Sequence, residues 1–256
     1  VGPALGGLVV GQLGLAWAYG IDAGTYVVAV GFAMMLRPQR PVRDGSVDED
    51  DRGWEAVRNG LRYLKGKRVL QSTFTVDIVA MVFGMPRVLF PVLADKQFHR
   101  GPEVVGWLFS AVALGALIGA LSSGWVGRIR RLGLAILLAV LVWGAAIVAF
   151  GLSGDHLWLA LVCLAVAGSA DVISAVFRST VQQLVVPDAL RGRLSAFNIF
   201  VVAGGPRLGD LEGGLVASAF TPAVSVVSGG LLCLAGVAVI AVTVPRFAHW
   251  RIGDPP

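Results

Sequence analysis

The chain has 256 residues, of which 56% are hydrophobic and only 14% charged, with a mean hydropathy of +0.77. A soluble globular domain carries roughly 25% charged residues, so the composition excludes a water-soluble fold and indicates an all-α integral membrane protein. The net charge of +5 does not point to nucleic acid, because the basic residues stand in short loops between apolar blocks, where membrane-orientation signals belong.

Apolar spans are predicted at about 1–13, 15–36, 69–93, 104–127, 132–151, 157–178, 194–219 and 221–245. Val104–Gly127, Leu132–Ser153 and Gly213–Pro245 contain no Asp, Glu, Lys or Arg, and a helix needs about 20 such residues to cross the ~30 Å hydrocarbon layer. The first span is too short to cross alone. Val1 begins in mid-pattern, without the shape of a signal peptide, so the chain is expected to be a fragment. Cys163 and Cys233 lie inside apolar blocks and read as small apolar filler.

The substantial polar segment lies between the second and third spans. Residues 37–68 begin as a charged, Pro-containing linker. Then Trp54, Val57, Leu61 and Leu64 recur at helical spacing, with Arg58, Arg62 and Lys65 on other faces. This basic amphipathic helix would lie on the membrane surface or pack on the bundle. Nine of the 21 Lys and Arg fall in 37–68, three in 128–131, three in 178–193 and two after 245. The opposite loops hold only Lys96 and Arg100. The bias assigns the linker and the carboxy terminus to the cytoplasm of a multi-pass protein of the cell (inner or plasma) membrane.

An internal repeat suggests the architecture. Gly2-Pro3-Ala4-Leu5-Gly6-Gly7-Leu8 near the start is matched by Gly205-Pro206-Arg207-Leu208-Gly209-Asp210-Leu211 near the end, each followed by a tight turn and a long apolar span. A parallel repeat of roughly 200 residues with a polar linker between copies is how two six-span halves are joined. Residues 1–36 would then end an amino-terminal half and 37–68 would be the cytoplasmic linker. Residues 69–245 would form a carboxy-terminal six-helix half, and 246–256 a cytoplasmic tail.

These features resemble the major facilitator superfamily from its fifth span to its twelfth, about eight transmembrane helices. Gly2-Pro3-x-x-Gly6-Gly7 is similar to the Gly-Pro motif of the fifth span in antiporters of that superfamily. Gln182 to Arg193, with Pro187, Asp188, Arg191, Gly192 and Arg193, resembles the loop before the eleventh span in the macrolide- and siderophore-exporter branch. Gly124 to Arg131, with Arg128, Arg130 and Arg131, is similar to the second copy of the basic loop motif, but lacks the acidic residue usual before the first Arg. The resemblance implies secondary active transport by alternating access, with proton-coupled export of a small amphiphilic compound as the preferred activity. An importer or lipid-moving member of the fold, or a non-transporting remnant, are the alternatives. It also implies four helices of the same transporter preceding Val1, and leaves the oligomeric state open.

Physically, Gly2, Gly6, Gly205 and Gly209 would let helix backbones approach closely, and so would Ala111, Gly115, Gly119 and Ser123, spaced by four. Pro3 and Pro206 would each free a backbone carbonyl and permit a bend. A charge inside the bilayer costs about 2.5–3.5 kcal/mol on insertion scales. Asp171, Asp77 and Arg87 are therefore candidates to bind proton or substrate, Asp171 first. Arg207 and Asp210, three apart on one helical face, are a candidate buried ion pair with Glu212 nearby, and loss of Asp210 would be expected to lower folded yield. Arg178, two turns beyond Asp171, reads as lying near the cytoplasmic end of its span. His99, His156 and His249 have no partners at metal-ligand spacing. No nucleophile or phosphate-binding motif is present, so neither enzyme activity, metal nor cofactor is expected. The expected partners are the lipid bilayer and a small-molecule substrate.

Overall fold

The computed structural model describes residues 2–35, 64–186 and 188–253. All but the last few residues of the predicted linker, including its amphipathic helix up to Leu61, therefore fall outside the described residues. The described chain is helical throughout. α1 (Gly2–Leu13) and α2 (Leu15–Met34) meet at Gly14, whose φ of 88° suits a residue without Cβ. They are followed by α3 (Arg68–Phe83), α4 (Phe90–Lys96), α5 (Pro102–Leu121), α6 (Leu132–Gly151) and α7 (Leu157–Val185). The chain closes with α8 (Asp188–Ala219), α9 (Pro222–Thr243) and the short α10 (Pro245–His249).

Six stretches among the described residues are long and apolar enough to cross a membrane: α2, the α3–α4 unit, α5, α6, α7 and α9. Of the eight predicted spans, α1 is short at 12 residues and α8 carries charges along its length, so neither meets that measure. The third span is not continuous as expected. It breaks at Gly84–Pro86, passes through a 3-10 turn at Arg87–Leu89 and resumes as α4. The break leaves a carbonyl, that of Gly84, which the buried indole N–H of Trp143 in α6 satisfies at 3.0 Å. Within hydrocarbon, irregular backbone persists only where protein supplies such a partner.

α7 packs along both α5 and α6, α9 bridges α6 and α3, and α3 lies along α8. Small residues make these approaches close, as the sequence suggests for α5. A Cβ on Gly119 would stand 2.8 Å from the Ser169 carbonyl of α7, and Gly115 and Gly168 meet the opposing backbone more tightly still. Larger side chains fill the rest. Phe90 packs edge-on against Phe109 and Phe150, with ring centroids 4.9 and 6.0 Å apart, and Ser225 at the start of α9 donates to the Gly213 carbonyl of α8 at 2.9 Å. α2 packs on α1, buries no residue and exposes Trp17, Tyr19, Tyr26 and Phe32, a surface suited to hydrocarbon.

Two loop contacts tie the ends of the bundle. Gln97 Nε2 donates to the Gly154 carbonyl at 2.7 Å at one end. At the other, the Ile252 N–H donates to the Arg130 carbonyl at 3.1 Å. The predicted tail is thus part of the fold: Phe247 and Trp250 are buried, and Phe247 seats against Gly133 at the start of α6.

Candidate functional site

Asp77 sits in the middle of α3, where neighbours Thr73, Phe74, Val76 and Ala80 are all buried. Asp171 stands at the midpoint of the 29-residue α7. Three and seven residues further on, Ser174 and Arg178 share its face, because 3.6 residues make a turn. The close packing of α7 on its neighbours turns this face inward, and only 6% of Arg178 and 4% of Asp77 are exposed.

One guanidinium joins the set. Arg178 Nη2 lies 3.0 Å from Asp77 Oδ1 and 3.8 Å from Asp171 Oδ1, while its Nη1 donates to Ser174 Oγ at 2.9 Å. The contact with Asp77 is one of charge more than of direction, since Asp77 Oδ1 makes no well-aligned hydrogen bond. Arg87, just past the break in the third span, is exposed, but it faces Asp171 across a small cavity of about 20 Å³ that Gly84 and Trp143 also line. That is room for about one water molecule. Two carboxylates and one guanidinium carry one surplus negative charge when all are ionised. The arrangement can neutralise that charge with a proton, or with the approach of Arg87.

The structure thus brings Asp77, Asp171 and Arg87 into one neighbourhood and adds Arg178, which sequence reasoning assigned to the cytoplasmic end of its span. The helix runs on to Val185, and Phe177, Arg178 and Val181 are buried within it. The signal was available in the spacing 171, 174, 178 and in the apolar residues Phe177, Val181 and Leu184 that continue the pattern beyond the charge.

Other predicted groups are placed differently. Arg207 is exposed, Asp210 and Glu212 are half-buried, and no ion pair joins them among the described residues. The Gln182–Arg193 segment is not an extended loop: Gln182–Val185 ends α7 and Asp188–Arg193 begins α8. Pro187 and the side chains of Asp188, Arg191 and Arg193 lie outside the described residues, and Gly192 is exposed. Gly205 and Gly209 face α3, and a Cβ on Gly209 would be 2.6 Å from the Met81 carbonyl. Pro206 stands half-buried within α8. Gly6 has nothing near it, while the surroundings of Gly2, Pro3 and Gly7 are outside the description. Arg128, Arg130 and Arg131 are exposed on the 3-10 turn Ser123–Arg128 and the loop after it.

A helical membrane bundle with a broken span and a charge cluster between two helices matches the expectation of a major facilitator fold. The profile of that superfamily's transmembrane secretion effectors matches residues 1–251, and the chain belongs to this family. Among curated proteins it is similar to the enterobactin exporter EntS of Escherichia coli strain K12, with 30% identity over 260 residues, covering 100% of this chain and 60% of that protein. The enterobactin exporters of Shigella flexneri and Shigella boydii serotype 18 are also 30% identical, covering 95% of this chain and 57% and 58% of those proteins. The chain therefore spans about three-fifths of the length of these relatives. No solved structure gives a significant match.

Proposed function

We propose that the chain forms the greater part of a secondary active exporter that moves a small amphiphilic compound, drug- or siderophore-like, out of the cell in exchange for protons. The observation that carries this reading is the Asp77–Arg178–Asp171 cluster between α3 and α7, with Asp77 and Arg178 buried and Asp171 half-buried, beside the break that carries Arg87. Intramembrane ionisable groups are costly and mark ion or substrate pathways. The similarity to enterobactin exporters supports an amphiphilic cargo of siderophore type. The transporter would sit in the inner membrane with the linker and the α10 end in the cytoplasm, as the basic-residue bias indicates. It would need neither a cofactor nor catalytic chemistry of its own.

The mechanism follows from the charge count. With Arg87 drawn toward Asp171, the four groups are neutral and no proton is needed. When the α4 side of the broken span moves away, the surplus negative charge is left on the triad, and a proton on Asp171 removes it. Discontinuous helices at a central site are a recurring device for such alternation. An anionic cargo could compete for Arg87 in the step that exposes Asp171, which would couple proton uptake to cargo movement.

The test uses proteoliposomes of the intact transporter, with a single cysteine at Gln97 to report orientation by labelling from outside. Asp171→Asn keeps the side-chain size and leaves Arg178 its contact with Asp77. It should abolish substrate-induced proton movement while sparing folded yield. Normal coupled transport by Asp171→Asn across the physiological pH range would exclude Asp171 as the coupling site.

A further inference from the structure

A large feature not used by the charge cluster lies at the α10 end, between α6 and α7. There a furrow of about 720 Å³ runs from the basic loop into the membrane region. Its floor is made of small residues, Ala135 and Ala139 of α6 and Ser169 and Ala170 of α7. Its walls are Leu134, Leu138 and Val142 on one side and Val166 and Ile173 on the other. Leu134, Leu138 and Val142 recur every four residues and are exposed, so they form one outward wall along α6. Eight residues of helix make that wall about 12 Å long, close to the depth of one leaflet of a ~30 Å hydrocarbon layer.

The mouth of the furrow is cationic. Arg128, Arg130, Arg131 and Arg251 line it, and no acidic residue does among those described. Arg128, Arg130 and Arg131 make no ion pair within the described residues. The tail holds the mouth in shape through the Ile252 N–H to Arg130 carbonyl bond, with Phe247 buried behind it. Trp125 stands at the same level, 42% exposed and edge-on to Phe177 with centroids 6.1 Å apart, as tryptophans do at headgroup depth.

We propose that this furrow is a binding site for an anionic phospholipid of the bilayer, with an acyl chain between α6 and α7 and the phosphate held by Arg128, Arg130 and Arg131. The walls are outward faces of spanning helices, so the ligand enters laterally from the bilayer and not through the transport pathway. A zwitterionic lipid would bring its ammonium group against Arg128, Arg130 and Arg131, which make no ion pair among the described residues, and this selects for net negative headgroups such as phosphatidylglycerol. Basic pockets between helices at the cytoplasmic boundary suit such headgroups.

The experiment delivers phosphatidylglycerol and phosphatidylcholine, each in photoactivatable form, to the intact protein in detergent. The proposal expects phosphatidylglycerol to crosslink to peptides covering 125–142 or 166–177 in the unaltered protein, at least tenfold more than phosphatidylcholine. Each arginine changed to glutamine should weaken retention on the order of fivefold, and Ala135→Phe, which fills the floor, should reduce crosslinking with the arginines intact. Equal crosslinking by both lipids, or labelling elsewhere, overturns the proposal on the unaltered protein alone, whatever the variants do. Displacement of the lipid by a soluble transported compound also overturns it, because the furrow would then belong to the transport pathway.

Discussion

Two groups of charges in α7 and α8 invite comparison, because their spacing in sequence ranks them in the wrong order. Arg207 and Asp210 stand three apart on one helical face and make no ion pair within the described residues. Asp171 and Arg178 stand seven apart, and Arg178 reaches both Asp171 and Asp77 on a different helix. The difference lies in the surroundings. An exposed pair gains little from closing, since the side-chain entropy it costs is close to the attraction it returns. A buried guanidinium has no such choice and takes whichever carboxylates the packing presents.

The sharpest way to break this comparison is to remove the shared cation. Arg178→Leu would leave Asp77 and Asp171 without the cation they share, with only Arg87 across its cavity from Asp171 as a counter-charge, and breaking a buried pair in this way costs about 3–5 kcal/mol. Folded yield, read by size-exclusion chromatography in detergent, should collapse. Adding Asp77→Asn to Arg178→Leu should recover part of it, because the second change removes one of the stranded charges. If the double variant is no better folded than the single one, the two residues are not coupled in the folded protein.

Much of the fold was legible because the bilayer imposes helices of a fixed length, so apolar runs such as 132–151 mark spans almost to the residue. The break at Gly84–Pro86 was less visible: Gly and Pro are tolerated in membrane helices, and only Trp143, 59 positions away, supplies the missing donor. Asp77 and Asp171 stand out in the sequence because a carboxylate in an apolar run is conspicuous by cost alone. Arg178 was missed because a cation near the end of an apolar run reads as a boundary, and only the packing of α3 on α7 shows it to be buried. The Arg207–Asp210 pairing was overread for the converse reason, since helical spacing reports what is within reach and not what is buried.

The glycine motifs allow a second, smaller contrast. Gly209 and Gly6 occupy equivalent places in the two Gly-Pro copies, offset by the same 203 residues. A Cβ on Gly209 would lie 2.6 Å from the Met81 carbonyl and 2.8 Å from that of Val82, whereas one on Gly6 meets nothing within 4 Å. Gly209→Val should therefore force α8 away from α3, at the roughly 1–3 kcal/mol typical of overpacking. Gly6→Val should change thermal unfolding in detergent little. Equal losses at both positions would mean that the motif acts through helix propensity and not through close approach.

The smallest effect is expected where the sequence suggested a large one. If Arg207 and Asp210 formed a buried pair, Asp210→Asn would strand a cation and folded yield would fall. The structure leaves Arg207 exposed and Asp210 half-buried, with no ion-pair partner among the described residues, so there is no described contact for the substitution to break. Substitutions away from packed or paired sites usually change stability by no more than about 0.5 kcal/mol. Asp210→Asn, Arg207→Gln and the double variant should accordingly unfold within that margin of the unaltered protein, and their effects should add, since uncoupled sites are additive. A loss for either single variant that the double variant restores would show that the two side chains do pair in the membrane. A loss of transport with unchanged unfolding would assign the exposed face of α8 to the transport pathway, where Arg207 would meet water or cargo in place of Asp210.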